Sequence, residues 1–170
     1  MTVAHIALGT KPHENWALWS RALHVALPGY ASFSISLFGK HAERFRHLPY
    51  AGSLKPDVIC VPLAEAEWQR LVSHCRAFTQ LDIGLPATGR AVSGHGYPGY
   101  DPWPGAIQMF KAAAEAHPLR VRFNHAMVEG YSGGPLIDDT GRLIGILDST
   151  DDQQRGYAWE MNFVRNIVRL

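Results

Sequence analysis

Glycine and proline interrupt this sequence at short intervals between Pro28 and Gly105, and short apolar or alternating runs lie between and after them. Glycine is too permissive and proline too rigid for the interior of most strands and helices, so each marks a turn or a loop. The runs are residues 31–37, 57–63, 119–123, 134–137 and 143–147. Many short strands with frequent turns predict an all-β chain, an antiparallel barrel or sandwich with minor helices.

Two of these runs have patterns that favour strands directly. Residues 31–37 alternate with period two, which is typical of a half-buried strand. Residues 57–63 form a β-branched apolar run, which is typical of a buried strand. The sequence Asp-Asp-Thr-Gly at 138–141 separates the last two runs and predicts a tight hairpin turn.

Three segments have a helical pattern instead. Residues 16–27, 64–75 and 162–170 each place apolar side chains one turn apart on a single stripe. Residues 97–105 are rich in proline, glycine and aromatic side chains and predict an ordered loop. No repeat and no long linker divides the chain.

Composition excludes several classes of function. The chain has 170 residues, 46% of them hydrophobic, which suffices for one packed unit of small barrels. Its formal net charge is +1 and its lysines and arginines are not clustered, so we expect no nucleic-acid partner. No stretch of 18 apolar residues is present, so we expect no membrane partner.

Two features predict a cytoplasmic protein. Cys60 and Cys75 have no CxxC spacing and are too few for a disulfide framework, so we expect reduced thiols. The first residues lack a basic stretch followed by an apolar run, so they do not resemble a signal peptide.

The strongest chemical motif is Gly-Tyr-Ser-Gly-Gly-Pro-Leu at 130–136. A serine becomes an effective nucleophile only when one group takes its proton and others hold the developing oxyanion. Glycines beside Ser132 permit a sharp backbone that aims N–H groups at one point. An isolated Ser-Gly-Gly is most often part of a hairpin, but the following Pro-Leu and the Asp-Asp-x-Gly turn favour a catalytic loop.

Residues 130–146 resemble the active-serine segment of trypsin-like (chymotrypsin-fold) serine proteases, nearest to the bacterial kind. The family also has a Thr-Ala-Ala-His segment, which residues 2–6 resemble, and an aspartate opening a hydrophobic strand, as Asp57 does. Gly-Tyr-Pro at 96–98 is similar to a strand end of the family. The chain order His, Asp, Ser also agrees.

The resemblance implies a catalytic triad of His5, Asp57 and Ser132, with no cofactor and no metal. Ser132 attacks the scissile carbonyl, His5 takes and returns the proton, and Asp57 orients the imidazole. The backbone N–H groups of Gly130 and Ser132 would form the oxyanion hole.

Other interpretations of the triad partners remain open. Asp57 follows a proline, so it is also compatible with a simple turn before a strand, and His5 with a surface residue near the terminus. His41 and His47 are poorer candidates for the base, because the family places two strands between its histidine and its aspartate.

The resemblance implies a double β-barrel, divided into a partial N-terminal barrel (1–80) with His5 and Asp57 and a C-terminal barrel (81–170) with Ser132. The family has about two strands before its histidine, where this sequence has four residues. We therefore expect a truncated first barrel, strands encoded upstream, or a partner chain or oligomer that covers the open strand edges.

The resemblance also bears on specificity. Digestive enzymes of the family carry an aspartate where this chain has Tyr131, so activation by pairing with a new N-terminus is not expected. The resemblance also implies that Ala126, six residues before Ser132, lies at the base of the substrate pocket, which would favour a small or apolar substrate side chain. Tyr157, Ala158 and Trp159 are expected to form the pocket wall.

Two classes of function compete. The first is a serine endopeptidase that cleaves a protein or peptide substrate through an acyl-enzyme. The second is an inactive protease-like binding module whose incomplete first barrel is completed by a partner. A metallohydrolase is less favoured, because His13-Glu14 begins a zinc motif that fails at Ala17.

Overall fold

The computed structural model describes residues 1–3, 21–26, 32–40, 43–47, 56–98 and 106–166. In chain order the elements are β1 (Thr2–Val3), β2 (Ala22–Val25), β3 (Phe33–Ser36), β4 (Arg46–His47), β5 (Val58–Cys60), α1 (Glu65–Val72), β6 (Ala91–Gly96), β7 (Gln108–His117), β8 (Arg120–Phe123), β9 (Pro135–Asp138), β10 (Leu143–Thr150), β11 (Gly156–Glu160) and α2 (Met161–Val164). The described chain is mostly β-structure, which confirms the predicted fold class.

Strands β6 to β11 close into an antiparallel barrel in the order β10-β11-β8-β7-β6-β9. Side chains alternate between its inside and outside, since strands have period two. In β8, for example, Val121 and Phe123 are buried in the barrel core while Arg120 and Arg122 are half-exposed. Closure removes the unpaired strand edges that would otherwise invite association.

The described N-terminal residues form a three-stranded sheet, β1-β5-β4, and a separate hairpin of β2 and β3. The central strand β5 is buried on both sides. Val58 packs with Ile146 and Trp159 of the barrel, whereas Ile59 packs on the other side with Leu37 and Phe45. This strand therefore joins the N-terminal sheet to the outside of β10 and β11.

Most of the predicted strands are confirmed, and one predicted helix is wrong in its described part. Residues 22–25 of the predicted helix 16–27 form β2, and the earlier residues 16–20 lie outside the described residues. The reason is non-local: β2 pairs with all four residues of β3, and this ladder outweighs a helical spacing of apolar side chains.

The other two predicted helices are present in shorter form. Helix α1 lies within the predicted 64–75, and α2 begins at Met161, while residues 167–170 lie outside the described residues. The predicted boundary between residues 80 and 81 falls inside a short 3₁₀ turn, Gln80–Asp82. None of the helices in the described ranges is long and apolar enough to cross a membrane.

Candidate active site

Ser132 lies in a tight turn just before β9. The N–H of Gly134 donates to the carbonyl oxygen of Tyr131 at 2.9 Å, which closes the turn around Ser132 and Gly133. Gly133 has φ = 82° and Gly130 has φ = 98°, a region that side-chain-bearing residues rarely adopt. The glycines of the motif therefore have the conformational role that the sequence predicts.

Strand β10 fixes this turn in place. The N–H of Gly133 donates to the carbonyl of Leu147 at 2.8 Å, and the N–H of Leu147 donates to the carbonyl of Gly134 at 2.9 Å. The Ser132 hydroxyl donates to the carbonyl of Asp148 at 3.1 Å. Three hydrogen bonds thus hold the serine against a strand of the closed barrel.

The end of β6 supports the turn from the other side. The N–H of Tyr97 donates to the carbonyl of Gly130 at 3.0 Å. A Cβ atom on Gly130 would overlap the carbonyl of Tyr97, and one on Gly134 would overlap the carbonyl of His95. Backbone packs directly on backbone here, so these glycines also allow a close approach.

The amide groups of the turn divide into two sets. Those of Gly133 and Gly134 are used within the fold, as described above. In the part of the chain that the structure describes, the N–H groups of Gly130 and Ser132 donate to no protein acceptor. These two amides are the ones that the resemblance predicts for the oxyanion hole.

A cleft of about 390 Å³ opens beside Ser132. Its lining is mostly apolar, and consists of His95, Gly96, Tyr97, Ile107, Gly130, Ser132, Gly134, Pro135 and Ile137. His95 was not singled out from the sequence, and its Nε2 lies 3.1 Å from the hydroxyl of Ser93. Because His95 lines the same cleft as Ser132, it is a second histidine to consider as a base.

Asp57 lies immediately before β5 and is only 5% exposed. Strands β1 and β5 are antiparallel, and their last pair joins Val3 to Val58. Asp57 directly precedes Val58 in sequence, and His5 follows Val3 by two residues. His5 and His41 lie outside the described residues, and His47 lies in β4. The convergence of His5, Asp57 and Ser132 remains a prediction.

The predicted pocket residues lie in different environments. Ala158 is fully buried in the barrel core, and Trp159 is fully buried on the opposite face of β11. Tyr157 donates its hydroxyl to Asp151 at 3.0 Å, and a hydrogen bond from Arg155 lowers the pKa of Asp151 to about 2.

Ala126 is half-buried, and the cleft beside Ser132 is lined by none of the four predicted pocket residues. Their role in binding substrate remains a prediction.

Sequence reasoning missed two charged residues that interact with each other, one of which, Asp148, contacts Ser132. Asp148 ends the apolar run of β10 and is 8% exposed, and Arg120 lies 3.4 Å from its carboxylate. The signal for Asp148 was an acidic residue directly after five mostly apolar positions of a strand. Arg120 had no such signal, because its partner comes from a different strand.

No cluster in the described ranges has three or more histidine, cysteine or acidic side chains placed to hold a metal ion.

No protein-family model matches the chain, and no curated protein sequence matches it. A solved structure of a human pathogenic astrovirus serine protease is similar at 16% identity, with a TM-score of 0.53, over 94% of this chain and 75% of that one. This likeness shows that the chain has a chymotrypsin-like serine protease fold, which confirms the predicted fold.

Two further solved structures overlap with part of the chain. A serine endoprotease from Yersinia pestis matches at 20% identity with a TM-score of 0.44, over 51% of this chain and 32% of that one. The thermostable serine protease AL20 from an extremophilic microorganism matches at 17% identity with a TM-score of 0.38, over 52% and 48%. The chain thus spans about a third of the length of the first of these proteins and about half of the length of the second.

Proposed function

We propose that this chain is a serine endopeptidase with Ser132 as its nucleophile. The observation that carries the proposal is the arrangement of one turn: a hydroxyl held at its centre and, within the described residues, two amides of Gly130 and Ser132 without a protein acceptor. Amides held rigidly in advance stabilise an oxyanion without reorganising during the reaction.

The proposed reaction follows from these groups. The Ser132 oxygen forms a bond to the scissile carbonyl carbon while its proton passes to the imidazole of His5. The negative charge on the former carbonyl oxygen is held by the N–H groups of Gly130 and Ser132. The carbon–nitrogen bond then breaks, the amine takes the proton from His5, and water hydrolyses the acyl-enzyme.

The positions of β1 and β5 support the roles of His5 and Asp57. Val58, next to Asp57, packs against Ile146, which lies two residues before Asp148 in the strand that holds Ser132. Asp57 is thus placed near the junction of the N-terminal sheet and β10. Its low exposure suits a carboxylate that supports an imidazolium away from water.

Labelling with a fluorophosphonate tests the proposal, because this reagent reacts with activated serines. We expect one covalent adduct per chain in the wild type and none in Ser132→Ala. Ser73→Ala removes an exposed hydroxyl at the end of α1 and is the matched control, which should react like the wild type. A wild-type protein that does not react, or an adduct that persists in Ser132→Ala, would overturn the assignment.

The alternative is a protease-like binding module without turnover. One observation favours it: within the described residues, the N-terminal strands form a three-stranded sheet and a separate hairpin and not a closed barrel. A wild-type protein that binds peptides but neither reacts with the fluorophosphonate nor hydrolyses them would support this alternative.

The compartment and the partners are also proposals. Cys60 and Cys75 are free thiols and Cys75 is exposed, which agrees with a reducing cytoplasm. We expect a peptide substrate and a partner chain or second copy on the edges of the N-terminal sheet, where β4 is a terminal strand. Cell fractionation tests the cytoplasmic location, and light scattering of the pure protein tests self-association.

A further inference from the structure

Asp148 occupies a β-bulge, which breaks the pairing of β10 with β11. Leu147 pairs with Ala158 and Ser149 pairs with Tyr157, so Asp148 is one extra residue on β10. Bulges occur often beside active sites, where they re-aim a group that regular pairing would point elsewhere. This bulge directs the Asp148 carbonyl to the hydroxyl of Ser132.

The carboxylate of Asp148 anchors the bulge from its other end. Its Oδ2 lies 3.4 Å from Nη1 of Arg120 and accepts a hydrogen bond from the Ser149 hydroxyl at 3.1 Å. At 8% exposure, a carboxylate needs such charged and hydrogen-bonding neighbours, because burial without them is costly.

Arg120 is itself held by an aromatic side chain. Its guanidinium carbon lies 4.0 Å from the ring centroid of Trp159, which is fully buried, and the two residues are paired across β8 and β11. A planar guanidinium can stack on a ring and face a carboxylate at once, which the point charge of a lysine does less well.

We propose that Arg120 is a positioning residue for Ser132: through Asp148 it holds the bulge whose carbonyl orients the serine hydroxyl. The inference deepens the proposed function and rests on it. Arg120 is not part of the cleft lining beside Ser132, so it acts on the nucleophile through Asp148 and not on the substrate directly.

Substituting Arg120 should therefore change the chemical step more than substrate binding. In Arg120→Met the Asp148 carboxylate loses this cation, the bulge shifts, and the Ser132 hydroxyl turns away from its position. Small displacements of reacting groups cost on the order of 10²-fold in rate, so we expect kcat and the labelling rate to fall about 10- to 100-fold with KM little changed.

Three further variants test whether Arg120 acts through Asp148. Arg120→Lys keeps the positive charge but loses the planar guanidinium that stacks on Trp159, so it should retain an intermediate rate. Asp148→Asn alone removes the charge that Arg120 balances and keeps the backbone carbonyl. In the double variant Arg120→Met/Asp148→Asn the same contact is broken from both sides, so the two losses should not add and its rate should be close to that of Arg120→Met.

Arg122→Met is the matched control, because Arg122 lies on the same face of β8 and pairs with Glu115 instead. It should react like the wild type. An equal loss in Arg120→Met and Arg122→Met, or fully additive losses in the double variant, would overturn the positioning role.

Amide hydrogen exchange separates this inference from the proposed function. In Arg120→Met the N–H groups of Gly133 and Leu147, which link the turn to β10, should exchange faster than in the wild type and in Arg122→Met. This measurement needs no activity. If the wild type is inert, the proposed function fails; if these amides stay equally protected, the anchoring by Arg120 fails.

Discussion

The N–H of Gly133 donates to the carbonyl of Leu147 at 2.8 Å, so the turn that carries Ser132 is joined directly to β10 of the closed barrel. The reactive group therefore depends on the barrel for its position and contributes little to it in return. Substitutions at this junction should separate chemistry from architecture.

Gly134→Ala should damage both folding and activity. The new Cβ at position 134 would overlap the backbone carbonyl of His95, which cannot move without distorting β6. We therefore expect a loss on the order of 3 kcal/mol in the free energy of unfolding. Gly141→Ala is the control: Gly141 has φ = 79° but open space around it, so only backbone strain of about 1 kcal/mol applies. Urea denaturation measures both, and equal losses would contradict the packing argument.

Ser132→Ala should remove hydrolysis and leave the fold intact. Loss of a triad nucleophile lowers kcat on the order of 10⁴- to 10⁶-fold. Among the described residues its hydroxyl makes one hydrogen bond, to Asp148, so the free energy of unfolding should change by only about 1 kcal/mol. Peptide hydrolysis and urea denaturation are the measurements. A variant as active as the wild type would rule out Ser132 as the nucleophile.

The identity of the general base can be decided by two histidine variants. We expect His5→Ala to lower kcat on the order of 10⁴-fold, and His95→Ala to retain most of it, because His95 interacts with Ser93. The kinetics of both variants on one peptide are sufficient. The reverse order of effects would assign the base to His95.

Asp57→Asn should impair catalysis while preserving shape. An asparagine of the same size cannot support the imidazolium or select its tautomer, so we expect kcat to fall on the order of 10⁴-fold. Asp138→Asn alters another buried aspartate, the last residue of β9, which holds the following hairpin turn, and should affect stability and not kcat. If Asp57→Asn has the same kcat as the wild type, Asp57 is not part of the catalytic triad.

Acid should destabilise the fold through Glu67 of α1, which forms an ion pair with Arg44. The Arg44 guanidinium, which donates hydrogen bonds of 2.9 and 2.7 Å to this carboxylate, lowers the pKa of Glu67 from 4.5 to about 2. A lowered folded-state pKa gives stability that is present above pH 4.5 and is lost as the pH falls towards 2.

Glu67→Gln should therefore cost about 2 kcal/mol at pH 7 and much less near pH 2. Glu65→Gln, on the exposed side of the same helix, is the control and should change little. Urea denaturation across this pH range checks the prediction, and a loss for Glu67→Gln that does not depend on pH would contradict it.

Residues 108–117 show where local sequence was insufficient. Lys111 to Glu115 contains three consecutive alanines between charged residues, a composition that suits a helix. In the structure β7 pairs with β6 on one side and β8 on the other, and buries Phe110 and Ala114 in the barrel core. Two ladders and a buried face outweigh a weak local preference.

The turn at 138–141 shows the opposite case. Asp138 accepts hydrogen bonds from the N–H groups of Thr140 and Arg142, and Gly141 has φ = 79°. All of these contacts lie within four residues, so the turn was predictable from its sequence.

The sequence by itself determined the strand runs, this turn and the glycine-rich surroundings of Ser132, because these depend on neighbours along the chain. The tertiary structure alone decided that β2 is a strand, that Asp148 forms a bulge and faces Arg120, and that His95 lines the cleft beside Ser132. Those features depend on hydrogen bonds and packing between strands distant in sequence, and no local pattern records which strands become neighbours.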